Sequence, residues 1–465
     1  AAANAIAPSF AVANIIADQN APVLQQATIL LAPNGVPLVN IQTPDTNGLS
    51  HNTYSQFDVG AKGAIVNNAR SSVQTTLGGW VQGNPWLGTG SASVILNEVN
   101  SHSPSYLNGY IEVAGQKADV IVANPSGISV NGSGIINAGR LTLTTGRPVF
   151  NGGHLSAYRV REGNIAIEGL GLDSSSADFT DIISRSVSVN AGIWADQLKL
   201  TTGSNTVDVT HTQTQVKTSS GLVPTFALDI SALGGMYAKK ITLVGTENGV
   251  GVRNAGTLGS TFDQITINAD GQLINSGVMH AHTDLNALVQ KNVVNTGTIA
   301  ARENVSLKSN GDIKSASGST LAAGVRADSS ANSHGNLSVS TTQKAFLMGT
   351  NTAIDKLRVQ AANINTSDSQ TWANEIQLTA TSGDLNATNS QLSASGKMIL
   401  STSQLLKIDG ANVQAQQLRI DANSLSNQAG TLTHLGTQDL NINLLGDLNN
   451  NDGRIASNSQ NLTIS

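Results

Sequence analysis

Asn254-Ala255-Gly256-Thr257-Leu258, Asn275-Ser276-Gly277-Val278-Met279 and Asn295-Thr296-Gly297-Thr298-Ile299 spell one pattern three times. Their asparagines stand 21 and 20 residues apart. Each stretch is followed by an apolar-x-apolar triplet: Ile265-Thr266-Ile267, Leu285-Asn286-Ala287, Val305-Ser306-Leu307. These triplets repeat every 20 residues. A fixed period of this length, with turn residues at one phase and aliphatic residues at another, is the signature of a solenoid.

Within a triplet the apolar positions alternate with a period of two. That puts both side chains on one face of a strand. The triplet recurs at Leu337/Val339, Leu357/Val359, Ile376/Leu378, Leu418/Ile420, Leu440/Ile442 and Leu462/Ile464. Asn, Ser, Thr, Gly and Asp fill the gaps, and these are turn formers. One such coil cannot bury its apolar face alone, but stacked coils bury a continuous ladder. The fold predicted is all-β, a right-handed parallel β-helix. A leucine-rich repeat has a similar period but requires a Leu-x-x-Leu-x-Leu consensus that these coils lack.

Composition narrows the class. Aromatic residues are 3% and charged residues 12%, which suits a slim aliphatic core. Asn and Gly are expected to supply left-handed corner positions. A hydrophobic content of 39% in strict alternation argues against a disordered chain. The net charge is −5, and no basic stripe with interleaved aromatics points to nucleic acid as a partner. No run of about 18 apolar residues would span a membrane as a helix. The chain has no cysteine, which fits export through an oxidising envelope. It opens Ala1-Ala2-Ala3-Asn4-Ala5-Ile6-Ala7, read as a mature end after signal-peptide removal. Asn461-Leu462-Thr463-Ile464-Ser465 stops inside a strand pattern without a polar cap, read as the N-terminal part of a longer protein.

The periodicity changes along the chain. The expected division is residues 1–250, irregular, and residues 251–465, tightly repeated. Earlier triplets are Leu141/Leu143, Ile165/Ile167, Leu198/Leu200 and Ile241/Leu243. Their wide and uneven spacing predicts excursions outside the coil stack. One is expected over Thr206–Thr225, as a hairpin turning at Gly221–Pro224.

Two Asn-Pro turns stand in the first part: Asn84-Pro85-Trp86-Leu87 and Asn124-Pro125-Ser126-Gly127-Ile128. Pro fixes φ, Asn can bond its own backbone, and Gly127 accepts positive φ before Ile128 returns to the core. Each reads as a tight corner between strands.

Their surroundings resemble a known family. Gly79-Trp80-Val81-Gln82-Gly83 leads into the first motif, followed by Ala92-Ser93-Val94-Ile95-Leu96-Asn97-Glu98-Val99. Asn108-Gly109-Tyr110-Ile111-Glu112-Val113-Ala114-Gly115 and Ala118-Asp119-Val120-Ile121-Val122-Ala123 lead into the second, followed by Leu141-Thr142-Leu143-Thr144-Thr145-Gly146. This resembles the secretion domain of two-partner-secretion exoproteins, the filamentous-haemagglutinin and contact-dependent-inhibition class. The likeness runs on through Ser184–Ala191 and Ala232–Ala238 into haemagglutinin-type repeats from Gly251. The chain departs from the family at the third motif position, with Trp86 and Ser126.

The resemblance implies secretion and partner-recognition roles for Asn84, Pro85, Trp86 and Leu87, and for Asn124, Pro125, Ser126, Gly127 and Ile128. It implies a partner outer-membrane β-barrel with periplasmic recognition domains. It also implies export through the periplasm of a Gram-negative bacterium to the cell surface, and a receptor on a host or neighbouring cell. The second motif, richer in turn residues, is expected to matter more to export. The protein would be an adhesin, a carrier of a contact-dependent growth-inhibition toxin, or a cytolysin.

Catalytic chemistry has little support. His280, His282 and Asp284 share one strand face, but His280 and Asp284 lie about 13 Å apart along a strand, too far for one ion. One period away lie Ser260, Phe262, Ala300 and Arg302, so no metal is expected and the face is read as polar and outward. No Gly-x-Ser-x-Gly or His-Glu-x-x-His motif occurs. Gly249–Gly256 has the wrong spacing for a dinucleotide loop. Asp178 and Asp181 are read as a solvated acidic pair. A β-helical polysaccharide-degrading enzyme would need an acidic and basic cluster on adjacent coils, and none is evident. No enzyme activity, catalytic residue or cofactor is expected.

Overall fold

The computed structural model describes residues 14–218 and 223–465. The Ala1–Ala7 opening and Gly221 of the expected turn lie outside the described residues. Backbone contacts divide the chain into two compact units, Ala1–Ala238 and Lys239–Ser465.

In the second unit the first coils each carry three short parallel strands, and two of the three merge into one long strand at Gln391–Thr402 and Asn412–Ala422. Ile265–Ala269, Leu273–Asn275 and Val278–Ala281 form one coil. Leu285–Val289, Val293–Asn295 and Thr298–Ala301 form the next. Parallel pairing stacks Ile265 on Leu285 on Val305, and Leu258 on Met279 on Ile299. This is the register that the 20-residue period predicts. All six side chains are buried, each contributing roughly 1.5–3 kcal/mol relative to exposure. A third ladder joins Leu273, Val293, Ile313 and Ala345. Toward the C-terminus, Met398/Leu400 fills the rung between Ile376/Leu378 and Leu418/Ile420. A loop between Ala323 and Asn336 stretches one coil without breaking the ladder, because Val305 still pairs with Leu337.

Asn and Gly supply left-handed positions as expected, among them Gly249, Gly318 and Asn389, but the repeat residues Asn254, Asn275 and Asn295 are not among them. Asn254, Asn275 and Asn295 are buried and stacked in register instead. Asn254 Nδ2 donates to Asn275 Oδ1 at 2.8 Å, and Asn275 Nδ2 to Asn295 Oδ1 at 2.8 Å. Asn295 Nδ2 donates to Ser315 Oγ at 3.1 Å. The repeat glycines are demanded by proximity. A Cβ on Gly277 would stand 2.1 Å from the Gly256 carbonyl oxygen, and one on Gly297 2.1 Å from that of Gly277.

The first unit begins with antiparallel strands. Ile15–Ala17 pairs antiparallel with Leu49–Phe57, and Thr28–Leu31 with Pro37–Asn40. Parallel rungs follow. One face stacks Leu49–Phe57, Val94–Val99, Asp119–Ala123 and Arg140–Thr144. A second stacks Ser105–Leu107, Ile128–Val130, Asn164–Ile167, Ser186–Val189 and Phe226–Ile230. The uneven triplet spacing has two causes. Ile165/Ile167 belongs to the second face, whereas Leu141/Leu143 and Leu198/Leu200 belong to the first. Between Leu143 and Ile241 the described chain also makes two excursions from the stack.

Both excursions form one antiparallel sheet of Arg147–Asn151, His154–Val160, Asn205–Asp208 and Thr214–Val216. The expected hairpin is present, but it turns between Asp208 and Thr214. There the Asp208 carboxylate accepts N–H bonds from Thr212 at 2.9 Å and Gln213 at 2.6 Å. The first hairpin turns at Gly152-Gly153, both at positive φ, as a two-residue loop of this twist requires.

Candidate functional site

The two Asn-Pro corners share one construction. Asn84 caps a short 3-10 turn, Pro85–Leu87, whose Leu87 is buried. Asn84 Nδ2 donates to the Ile41 and Asn67 carbonyls at 2.8 and 2.9 Å, and its Oδ1 accepts from Trp86 N at 3.0 Å. Asn124 Nδ2 donates to Ser103 O and Ser105 Oγ, both at 2.9 Å, and its Oδ1 accepts from Ser126 N at 2.9 Å. Gly127 N donates to Asn124 O at 3.1 Å, with Gly127 at φ +113°. Pro125 and Ile128 are buried, and Ile128 pairs with Ser105 and Ile165.

Both asparagines are buried, at 3% and 0% exposure, so in the folded state they tie strands together. The third motif position serves through its backbone N–H. Trp86 and Ser126 supply that group as any residue other than proline would. The Trp86 side chain is half exposed, and its Nε1 donates to Thr28 Oγ1 at 3.1 Å. The partners of the two corners do not overlap: Ile41, Asn67 and Ala69 for the first, Ser103, Ser105 and Thr144 for the second.

Sequence reading missed a second core beneath the antiparallel sheet. Leu49, Leu96, Ile121 and Ile183 on the outer face of the rungs meet Tyr158, Val160 and Val207. The available signal was the unbroken run Val120-Ile121-Val122-Ala123, which marks a strand buried on both sides. The Asp178/Asp181 pair is corrected here. Asp178 is exposed and 3.3 Å from Lys117 Nζ. Asp181 is 4% exposed, bridged to the Arg140 guanidinium and 3.0 Å from His211 Nδ1. The overlying sheet supplies His211 and removes Asp181 from water. Burial also pushes the Asp119 carboxyl up against the opposing pull of Arg140.

His280 and His282 lie on the outer face, partly exposed. His280 Nε2 is 2.9 Å from the Val325 carbonyl, and His282 Nε2 is 2.8 Å from Arg302 Nη1. Among the described residues no three His, Cys, Asp or Glu side chains converge as metal ligands.

An unbranched coil stack, an antiparallel outer sheet in the N-terminal unit and two asparagine-stapled corners define a class: β-solenoids specialised at their N-terminal end. The family model described as the TPS secretion domain matches residues 13–275, and the chain belongs to that family. It is 44% identical over 463 residues to "Toxin CdiA" of Yersinia pestis, which covers 95% of this chain and 14% of the relative. It is 36% identical over 385 residues to "tRNA nuclease CdiA-2" of Burkholderia pseudomallei strain 1026b, covering 77% of this chain and 12% of the relative. Among solved structures, the filamentous hemagglutinin secretion domain matches at 33% identity with a TM-score of 0.54, covering 66% of this chain and 99% of that one. Proteins with this domain are secreted to the cell surface or beyond, and the domain implies a partner transporter in the outer membrane.

Proposed function

We propose that this chain is the export-directing end of a contact-dependent growth-inhibition toxin carrier. Residues 1–250 would act as the secretion domain and 251–465 as the start of the shaft. The observation that carries this reading is the 44% identity across 95% of the chain to a protein named a toxin. The toxic activity of such a carrier resides outside this stretch, which is built as a scaffold and itself catalyses nothing. Asn84–Leu87 and Asn124–Ile128 serve recognition by the periplasmic domains of the barrel partner while the chain is unfolded, and close coils once it folds. Unpaired strand edges of an incompletely folded chain offer such domains a surface for strand addition. The receptor belongs to a neighbouring bacterial cell.

Co-culture tests the proposal. Cells producing the full reading frame with its barrel partner should reduce the count of neighbours that lack the cognate immunity protein. Deleting the barrel gene should abolish both surface display and inhibition. Display that confers attachment to host cells without inhibition would favour an adhesin, and lysis of host cells a cytolysin.

A further inference from the structure

Four cations gather on the antiparallel sheet of the first unit. A cavity of about 420 Å³ is lined by Arg147, Arg159 and Arg161, with Pro148 and Phe150 beside them. A second, of about 440 Å³, shares Arg159 and Arg161 and adds Lys217, so the two form one groove. All four cations are exposed. Arg147 stands directly opposite Arg159 across the antiparallel pair, and Pro148 opposite Tyr158. Tyr158 is buried in the core beneath the sheet, so alternation turns both arginines outward. Like charges directly opposite one another destabilise a sheet. Lys117 and Arg140 of the same unit each meet a carboxylate. Among the described residues Arg147, Arg159, Arg161 and Lys217 meet none. Glu162 is the one acid among the described residues of either lining, and it pairs with no cation there.

We infer that this groove binds a phosphomonoester, its phosphoryl group held by Arg147, Arg159 and Arg161. Four cations against one carboxylate favour a ligand with more than one negative charge. A phosphomonoester carries about −1.5 to −2 at neutral pH, more than a single carboxylate can. Three of the four cations are arginine, whose planar fork meets phosphate oxygens in pairs. Bound phosphate would also relieve the repulsion between Arg147 and Arg159. Pro148 and Phe150 give the organic part of the ester an apolar wall. A sugar phosphate and a phospholipid with a terminal phosphate present the same group, and the experiment separates them.

Calorimetric titration of the whole chain with glucose 6-phosphate, glucose and a hexa-aspartate peptide tests this, beside flotation with phosphatidylcholine vesicles containing phosphatidic acid. Glucose 6-phosphate binding assigns a sugar phosphate, and flotation with phosphatidic acid alone assigns a lipid. Arg159→Gln should weaken binding at least tenfold, the loss of one charge-assisted contact. It also removes a like-charge pair, so its urea midpoint should hold or rise, which separates lost binding from lost folding. Arg147→Lys keeps the charge but not the fork and should weaken binding several-fold. Lys308→Gln removes an exposed charge from a strand of the second unit and should bind as wild type. The inference is overturned if neither phosphomonoester binds, or if Arg159→Gln or Arg147→Lys binds as wild type. Equal weakening by Lys308→Gln overturns it too, as does glucose or the peptide binding as tightly as the better phosphomonoester.

Discussion

At Asn84 and Asn124 a single side chain makes three hydrogen bonds that hold a corner shut. Replacing either by alanine strands buried carbonyl and amide groups, so each variant should lose about 2–4 kcal/mol in urea denaturation. Export should distinguish them. The Asn84 side chain ties a short surface turn to Ile41 and Asn67, whereas the Asn124 side chain ties Ser103 and Ser105 to the corner that runs through Gly127 straight into the buried strand residue Ile128. Asn124→Ala should therefore reduce secretion through the partner barrel more than Asn84→Ala, as an immunoblot of culture supernatant would show. Equal secretion of the two would remove the ranking. Asp58 gives a pH-dependent case. It is 3% exposed, and burial holds its carboxyl above the usual range against bonds from Tyr106 N and Gln56. An unfolded aspartate titrates near 3.9. Because the folded value is raised, the favourable contribution is full below about pH 4 and is lost as pH rises through the folded value. Asp58→Asn should gain stability over wild type between pH 4 and pH 7, measured as a widening gap in urea midpoints. At this scale the turn character of the corners was legible in residue types. The buried bonds were not, because an asparagine's partners lie tens of residues away.

A coil is the unit that the sequence announces most clearly, since alternation within a strand and a fixed period between strands are both local patterns. Leu285 sits fully buried between Ile265 and Val305. Leu285→Asp should cost at least several kcal/mol and loosen adjacent coils first, visible as lost hydrogen-exchange protection there. Replacing His280 and His282 together by alanine removes outer-face contacts only and should shift the melting midpoint little. Gly297→Ala forces a Cβ against the neighbouring coil's carbonyl and should destabilise by about 1–3 kcal/mol, the range for overpacking. Gly318→Ala meets open space and pays only for its positive φ, so it should cost less; the same urea titration compares the two. The period-two reading failed where strands are covered on both sides. Around Ile121 the outer face is apolar too, because Tyr158 and Val207 lie on it, so alternation disappears. The 151–154 turn could have been found from Asn151-Gly152-Gly153 between Val149-Phe150 and Leu155.

For the whole molecule, the family match ends at residue 275 while the repeats run on. A chain truncated after residue 275 should still leave cells that carry the barrel partner, and deletion of residues 84–128 should trap the product in the periplasm. Retention of the first or release of the second would contradict the proposed division of labour. The class of fold was legible because a solenoid writes its period into the chain. The burial of Asp181 was not, because Asp181 and His211 meet only when an excursion folds back over the rungs. The stacked asparagines also have a polarity. From Asn254 to Asn275 to Asn295 to Ser315, each side-chain amide donates one N–H to the side-chain oxygen of the later coil. Successive side-chain dipoles therefore align, and each bond polarises the next. A stack that stopped at any of these coils would present an unpaired donor at a fixed place. An incoming coil displaced by one residue would leave that donor dry and unsatisfied. The row thus favours one alignment of these four coils over its one-residue neighbours.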